Sequence, residues 1–140
     1  MKTRDVFVIV AGIGLLTSIS TYAADRQIPT APQNYLDMKN PLTVSQAVVD
    51  RGETVYKKCN KCHGSKGDGK GNSASGMEIQ PTAFSAPGYM KGRSDGQLFF
   101  IIEKGSPNTD MEAWGPGSDA NLSKDDIWSL IAHLRKNFTK

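Results

Sequence analysis

The sequence has few of the residues from which most metal and disulfide sites are built. It contains two cysteines and two histidines in 140 residues. This count excludes a disulfide-rich scaffold and a site with four cysteine ligands, such as a Cys₄ zinc or iron–sulfur centre. An excess of charge of one sign is also missing, because the net charge is only +3. We therefore do not expect the strongly basic face that binds nucleic acid.

Long hydrophobic runs are absent as well. The longest apolar stretch, 6–16, follows Lys2 and Arg4. After it comes a more polar segment, 17–21, and then Ala23. A transmembrane helix needs about 20 apolar residues, so a retained membrane anchor is the weaker interpretation. The pattern predicts a signal peptide over 1–23, cleaved after Ala23. We therefore expect a periplasmic protein whose mature chain has no transmembrane segment.

Both cysteines fall in one motif, in which 59–63 reads C-N-K-C-H. The thiols of Cys59 and Cys62 have the spacing that forms thioethers to the two vinyl groups of one porphyrin. The adjacent imidazole of His63 can then serve as the proximal iron ligand. A thioredoxin-like site would need a βαβ pattern around the motif, and a zinc site would need more ligands than His133 can add. The motif predicts a single haem c, bound covalently through two thioethers.

From this motif outward the sequence resembles the class I c-type cytochromes. The similarity covers 52–59, continues through Gly64 and the turn at 67–69, and resumes over 94–114 and the last helical stretch. The resemblance implies an all-α, cytochrome c-like fold, with three main helices and loops wrapped around one covalently attached haem c. It also implies one-electron transfer.

The second axial ligand must come from elsewhere in the chain. The candidates are Met38, Met77, Met90, Met111 and His133. Met111 lies in the glycine- and proline-broken stretch 105–114, and a loop can deliver a ligand to the iron from outside the helices. This stretch is similar to the distal-methionine loop of the family, although Glu112 stands where the family usually has proline. We favour Met111, with Met90 next. The resemblance places His133 at the position of an aromatic that packs on the first helix, so we interpret it as a packing or surface residue and not as a ligand.

Two helices are predicted in the first part of the domain. One covers about 45–62, and Gly52 inside it indicates a close helix crossing, which the resemblance assigns to the C-terminal helix. The other begins at Ser94 with Gln97 three residues later, the pattern of a capping box, and ends at Gly105.

The third helix starts with Ser123 and Asp126, a second capping-box pattern. Its apolar stripe consists of Ile127, Ile131, Leu134 and Phe138. We assign 45–140 to the cytochrome c domain and 24–44 to an N-terminal extension. From the sequence alone, this extension could either pack on the domain or bind a partner.

The segment between Gly64 and Gly92 is rich in glycine, serine and proline and is predicted to be loop. The glycine-rich part at 67–71 lacks the endings of phosphate-binding and calcium-binding loops, so it is interpreted as a turn. In the resembling family, a proline carbonyl accepts a hydrogen bond from the proximal histidine. Pro81 is the candidate for that role here, and a simple turn proline is the equal alternative.

The predicted function is that of an electron carrier that is not itself catalytic, since no general acid–base pair or nucleophile set is evident. The alternatives are a haem c subunit that relays electrons within a larger periplasmic oxidoreductase complex and, last, a gas-binding or peroxidase protein with a weak sixth ligand. Lysines cluster around the motif at Lys57, Lys58, Lys61, Lys66 and Lys70. They are suited to steer an acidic redox partner, or they form an ordinary solvated face.

Overall fold

The computed structural model describes residues 28–140, so the predicted signal peptide lies outside the described residues. Within this range the chain is all-helical and has no strand. The helices are α1 (Gln33–Leu36), α2 (Gln46–His63), α3 (Asp95–Lys104) and α4 (Lys124–Phe138). The three predicted helices are confirmed, and α1 is an addition that falls in the N-terminal extension. No helix within 28–140 is both long enough and apolar enough to cross a membrane.

Helices α2 and α4 cross in direct backbone contact at Gly52. A Cβ atom built on Gly52 would lie 2.6 Å from the backbone carbonyl carbon of Ser129 and 2.8 Å from the Cβ of His133. Only glycine fits there, so the predicted crossing is confirmed. His133 is buried against α2, with its ring centroid 5.2 Å from that of Tyr56, which confirms its packing role.

The start of α4 follows the sequence pattern closely. The Ser123 hydroxyl accepts a hydrogen bond from the Asp126 amide, and the Asp126 carboxylate accepts one from the Ser123 amide. This reciprocal pair satisfies two amide groups that would otherwise lack helical partners. The predicted stripe is buried, and Ile127 and Ile131 are fully enclosed in the core.

The start of α3 departs from the prediction. The Ser94 hydroxyl accepts a hydrogen bond from the Gln97 amide, as a cap should. The Gln97 side chain does not reach back to Ser94, however. It contacts the N-terminal extension, where its Nε2 donates to the Pro29 carbonyl at 2.7 Å and its Oε1 accepts from the Ala31 amide at 2.9 Å. The capping box at α3 is therefore half formed, because its second member bonds to another segment.

Residues 28–36, which we call the N-terminal strap, pack along α3. Tyr35 is the main anchor, since its hydroxyl donates to the Glu103 carboxylate and its ring meets that of Phe100 edge-on at 5.0 Å. Further along the extension, the side-chain amide of Asn40 donates to the Trp128 carbonyl at 3.0 Å. The extension therefore packs on the domain.

One arginine ties the loop before α3 to α4. The Arg135 guanidinium donates to the carbonyls of Met90 and Arg93 and pairs with Asp95 at 2.7 Å. The Met90 side chain is only 1% exposed and belongs to the hydrophobic core. This clamp fixes the path by which the chain enters α3.

Candidate functional site

An apolar cleft lies between α2, α3 and the loops that follow each of them. Its empty volume is about 1000 Å³, part of it open to solvent. The walls include Ile79, Phe84, Leu98, Ile101, Ile102 and Trp114. All four predicted site residues line this one cleft, namely Cys59, Cys62, His63 and Met111.

The cysteine–histidine motif forms the last turn of α2. Residues three and four apart lie on the same face of a helix, so Cys59, Cys62 and His63 are brought to one side. The helix stops at Gly64, which has a φ of 76° and turns the chain away directly after the histidine. The helical geometry therefore places both thiols and the imidazole on the side of α2 that lines the cleft.

Neither cysteine is in a disulfide, so both thiols are available for thioether formation. Burial raises the pKa of the Cys59 thiol to about 12, and the neighbouring Cys62 adds to the effect. Cys59 is therefore a protonated thiol at neutral pH.

His63 is buried and held in a defined orientation. Its Nδ1 lies 3.0 Å from the carbonyl oxygen of Thr82, and its ring stacks on Phe84 with centroids 4.4 Å apart and planes 22° apart. A carbonyl only accepts hydrogen bonds, so Nδ1 carries the proton and Nε2 presents the lone pair that can bind iron.

The choice of Pro81 as the hydrogen-bond acceptor for His63 was wrong by one residue. The acceptor is the carbonyl of Thr82, whereas the Pro81 carbonyl is directed at Gly69, on which a Cβ would lie 2.5 Å from that oxygen. Which carbonyl faces the histidine depends on the exact path of the loop, and the sequence does not specify that path.

Two aromatic residues that the sequence did not single out for the site support His63. Phe84 provides the surface on which the imidazole stacks. The hydroxyl of Tyr56 donates to the carbonyl of Gly64 at 2.7 Å, and burial raises the pKa of Tyr56, so it stays a donor. Nothing in the sequence pattern indicates the bond from Tyr56 to the turn after the histidine.

Met111 is presented by a loop that folds back on α3. The Ser106 amide donates to the Met111 carbonyl at 2.8 Å, and the Met111 amide donates to the Thr109 hydroxyl at 3.1 Å. That hydroxyl donates in turn to the Ser106 carbonyl at 2.8 Å. The Trp114 amide then bonds to Ile102 in α3 at 3.0 Å. We call residues 105–114 the methionine loop.

The other methionines divide clearly between cleft and core. Met90, the second candidate for the axial ligand, does not line the cleft. Its side chain is buried in the hydrophobic core, and Arg135 bonds to its carbonyl. Met38 packs against the same core. Met77 does line the cleft, so it replaces Met90 as the alternative to Met111.

The residues of the cleft suit a haem better than a bare metal ion. No group of three or more histidine, cysteine, aspartate or glutamate residues that could hold an ion occurs within 28–140. A porphyrin brings four nitrogen ligands of its own and needs from the protein an apolar cleft, two attachment thiols and axial ligands. These are the features that the cleft offers.

The family model for cytochrome c oxidase, cbb3-type, subunit III matches residues 47–134. The chain belongs to this family. It is therefore a class I c-type cytochrome with a cytochrome c-like fold, and the predictions of family and fold class are confirmed. Membership implies haem c as the cofactor and electron transfer as the general activity.

A solved structure supports the assignment of this cytochrome. A chain from the Kuenenia stuttgartiensis reducing HAO-like protein complex superposes with a TM-score of 0.62 and 25% sequence identity. The match covers 80% of the cytochrome and 50% of that chain, so the cytochrome spans half of its length. No curated protein sequence matches this cytochrome.

Proposed function

We propose that this cytochrome is a periplasmic one-electron carrier with a single haem c. Cys59 and Cys62 would hold the haem through thioethers, and His63 and Met111 would bind its iron. The observation that carries the proposal is that these four side chains line one apolar cleft, with His63 fixed by the Thr82 carbonyl. When bound, haem c supplies an iron that takes up and gives off one electron.

The protein's contribution is to hold the ligands in a defined orientation within an apolar cleft. The bond to Thr82 and the stacking on Phe84 restrict rotation of the His63 ring. The methionine loop holds Met111 through the Ser106 and Thr109 bonds. A thioether ligand and an apolar cleft both favour the less charged ferrous state, so we expect a positive reduction potential.

A second candidate function is that of a haem c subunit in a larger periplasmic oxidoreductase complex. Two findings favour it, because the matching family is named for an oxidase subunit and the solved relative belongs to a protein complex. Purification from the native membrane and soluble fractions discriminates between the two. A carrier elutes alone at its own mass, whereas a subunit elutes with a partner in fixed ratio.

The lysines around the motif are proposed to guide an acidic redox partner. All five are exposed, and none takes part in a salt bridge with another residue in 28–140. Electrostatic guidance of this kind weakens as ionic strength rises. Electron transfer that is insensitive to salt would instead assign these lysines to an ordinary solvated face.

The central test is the optical spectrum and mass of the protein expressed with its own leader in a host that attaches haem c. We expect one covalent haem per chain, a ferric sulfur-to-iron charge-transfer band and no carbon monoxide binding by the ferrous form. Met111→Ala should lose the band, and Met77→Ala, the matched change in the same cleft, should keep it. Recovery in the periplasm with an N-terminus at Ala24 would support the predicted cleavage.

The opposite outcomes are equally informative. Loss of the band in Met77→Ala alone would move the axial ligand to Met77. A high-spin or carbon-monoxide-reactive protein would contradict the assignment of Met111 and favour gas binding or peroxidase chemistry. Glu112 in the methionine loop would then be the first residue to replace.

A further inference from the structure

We infer that Ile28 and Pro29, at the start of the N-terminal strap, form part of the haem site and cover one edge of the cofactor. The inference rests on the proposed function in so far as the cleft holds haem. Both residues line the same cleft as His63 and Met111, and both are half-buried. They lie outside 47–134, so the family match does not include this part of the wall.

The strap is held by a two-point clasp on Gln97. The side-chain amide of Gln97 donates to the Pro29 carbonyl at 2.7 Å and accepts from the Ala31 amide at 2.9 Å. Both the Gln97 side chain and Ala31 are buried. A buried amide group with both ends satisfied by one backbone segment fixes that segment's position, because leaving either end unmet would be costly.

A second anchor lies one helical turn further along the strap. A Cβ atom on Gly96 would come within 2.7 Å of the Tyr35 carbonyl carbon, so the strap touches α3 where α3 has no side chain. Tyr35 then donates to the Glu103 carboxylate, which is only 9% exposed. Clasp and anchor together hold the chain on both sides of Ala31 and keep Ile28 and Pro29 against the cleft.

The open side of the cleft lies elsewhere. Among the described residues that line it, the exposed ones are Lys58 and Asp110, which belong to the end of α2 and to the methionine loop. The strap therefore closes an edge that would otherwise be wet and leaves the lysine-bearing rim for electron exchange. Burial of the haem edge disfavours the ferric form, which carries more charge.

Gln97→Leu is the direct test, since it keeps the size of the side chain and removes both clasp bonds. Gln33→Leu is the matched control, because Gln33 lies in the strap, is exposed and bonds only to Asp37. The full haem-loaded protein is measured for exchange of the Ala31 amide in the ferrous form, for its rate of reduction by ascorbate and for its reduction potential.

We expect the Ala31 amide to exchange about thirtyfold faster in Gln97→Leu, because both clasp bonds are lost. Reduction by ascorbate should be severalfold faster, the potential should be lower, and the charge-transfer band should be unchanged. Gln33→Leu should match the wild type. Ile28→Ser, which leaves the clasp intact, should shift the rate and potential in the same direction.

Three results would overturn the inference. In the first, the Ala31 amide is unprotected in the wild type. In the second, Ala31 is released in Gln97→Leu while the reduction rate and potential stay at wild-type values. In the third, Ile28→Ser changes neither quantity. Failure of the proposed function is distinguishable, because a chain without covalent haem is detected by mass, whereas Ala31 exchange still reports on the clasp.

Discussion

The backbone carbonyl of Ser129 occupies the space that a side chain on Gly52 would require. Helices α2 and α4 therefore approach each other without any side chain between them at this point. The contact connects the helix that carries the cysteine–histidine motif to the helix that closes the core, so it fixes where the motif lies.

Gly52→Ala should destabilise the protein by about 3 kcal/mol or more, because a methyl group there forces two backbones apart. Gly92→Ala is the matched control, since the nearest atom to a Cβ at Gly92 is 3.5 Å away. Urea denaturation of both variants and the wild type measures the difference. Equal midpoints for the two variants would contradict the close crossing.

Acid should weaken the fold through His133. Burial lowers its pKa from 6.5, and the nearby Glu53 only partly opposes this. Between the lowered pKa and 6.5, the unfolded chain binds a proton that the folded chain does not. The contribution of His133 to the free energy of unfolding is therefore constant above that window and falls as the pH is lowered through it, by up to about 1.4 kcal/mol per pH unit.

His133→Phe should remove this slope, because phenylalanine keeps a ring against Tyr56 and does not titrate. Urea denaturation at about pH 7.5 and about pH 5.5 compares the two proteins. A variant that loses as much stability as the wild type on acidification would show that another group is responsible.

Arg135→Lys should cost about 2 kcal/mol. Lysine cannot reproduce the fork that serves the Met90 and Arg93 carbonyls and Asp95 at once. Arg51→Lys is the matched change, because Arg51 pairs with Asp126 at the surface and is about half exposed. That substitution should cost less than about 1 kcal/mol. Thermal unfolding of both variants tests the contrast.

Thr109→Val should loosen the methionine loop, because it removes the hydroxyl that bonds both to the Ser106 carbonyl and to the Met111 amide. With Met111 as the proposed ligand, we expect the ferric protein to bind added imidazole about fivefold more tightly. Thr109→Ser retains the hydroxyl and should bind imidazole with wild-type affinity. Unchanged affinity in Thr109→Val would indicate that the loop is held by its remaining contacts.

Much of the fold could be predicted because its signals are local. Ser123 and Asp126 lie three residues apart and cap α4 as the pattern predicts, and Gly52 marks the crossing by its lack of a side chain. The motif at Cys59, Cys62 and His63 needed only helical geometry to bring its three side chains to one face.

The parts that could not be predicted depend on contacts distant in the sequence. Gln97 was expected to complete a cap three residues away, but it bonds to Pro29 and Ala31, which are 68 and 66 positions away. The loop context singles out Met111, but it does not show that Met77 reaches the cleft while Met90 is buried, because the loop paths decide this.

The clasp also determines where this protein can be divided. Gln97 and Glu103 lie inside the family's matched range, whereas their partners Ala31 and Tyr35 lie before it. A fragment trimmed to that range would lose the Tyr35 bond to Glu103 and both bonds of the Gln97 side chain to the strap, and it would expose the surface of α3 that the strap covers. Transplanting the strap onto a relative would in turn require a glycine and a glutamine at the start of the receiving helix. The structural unit is therefore longer than the matched range, and the strap and α3 must be exchanged together.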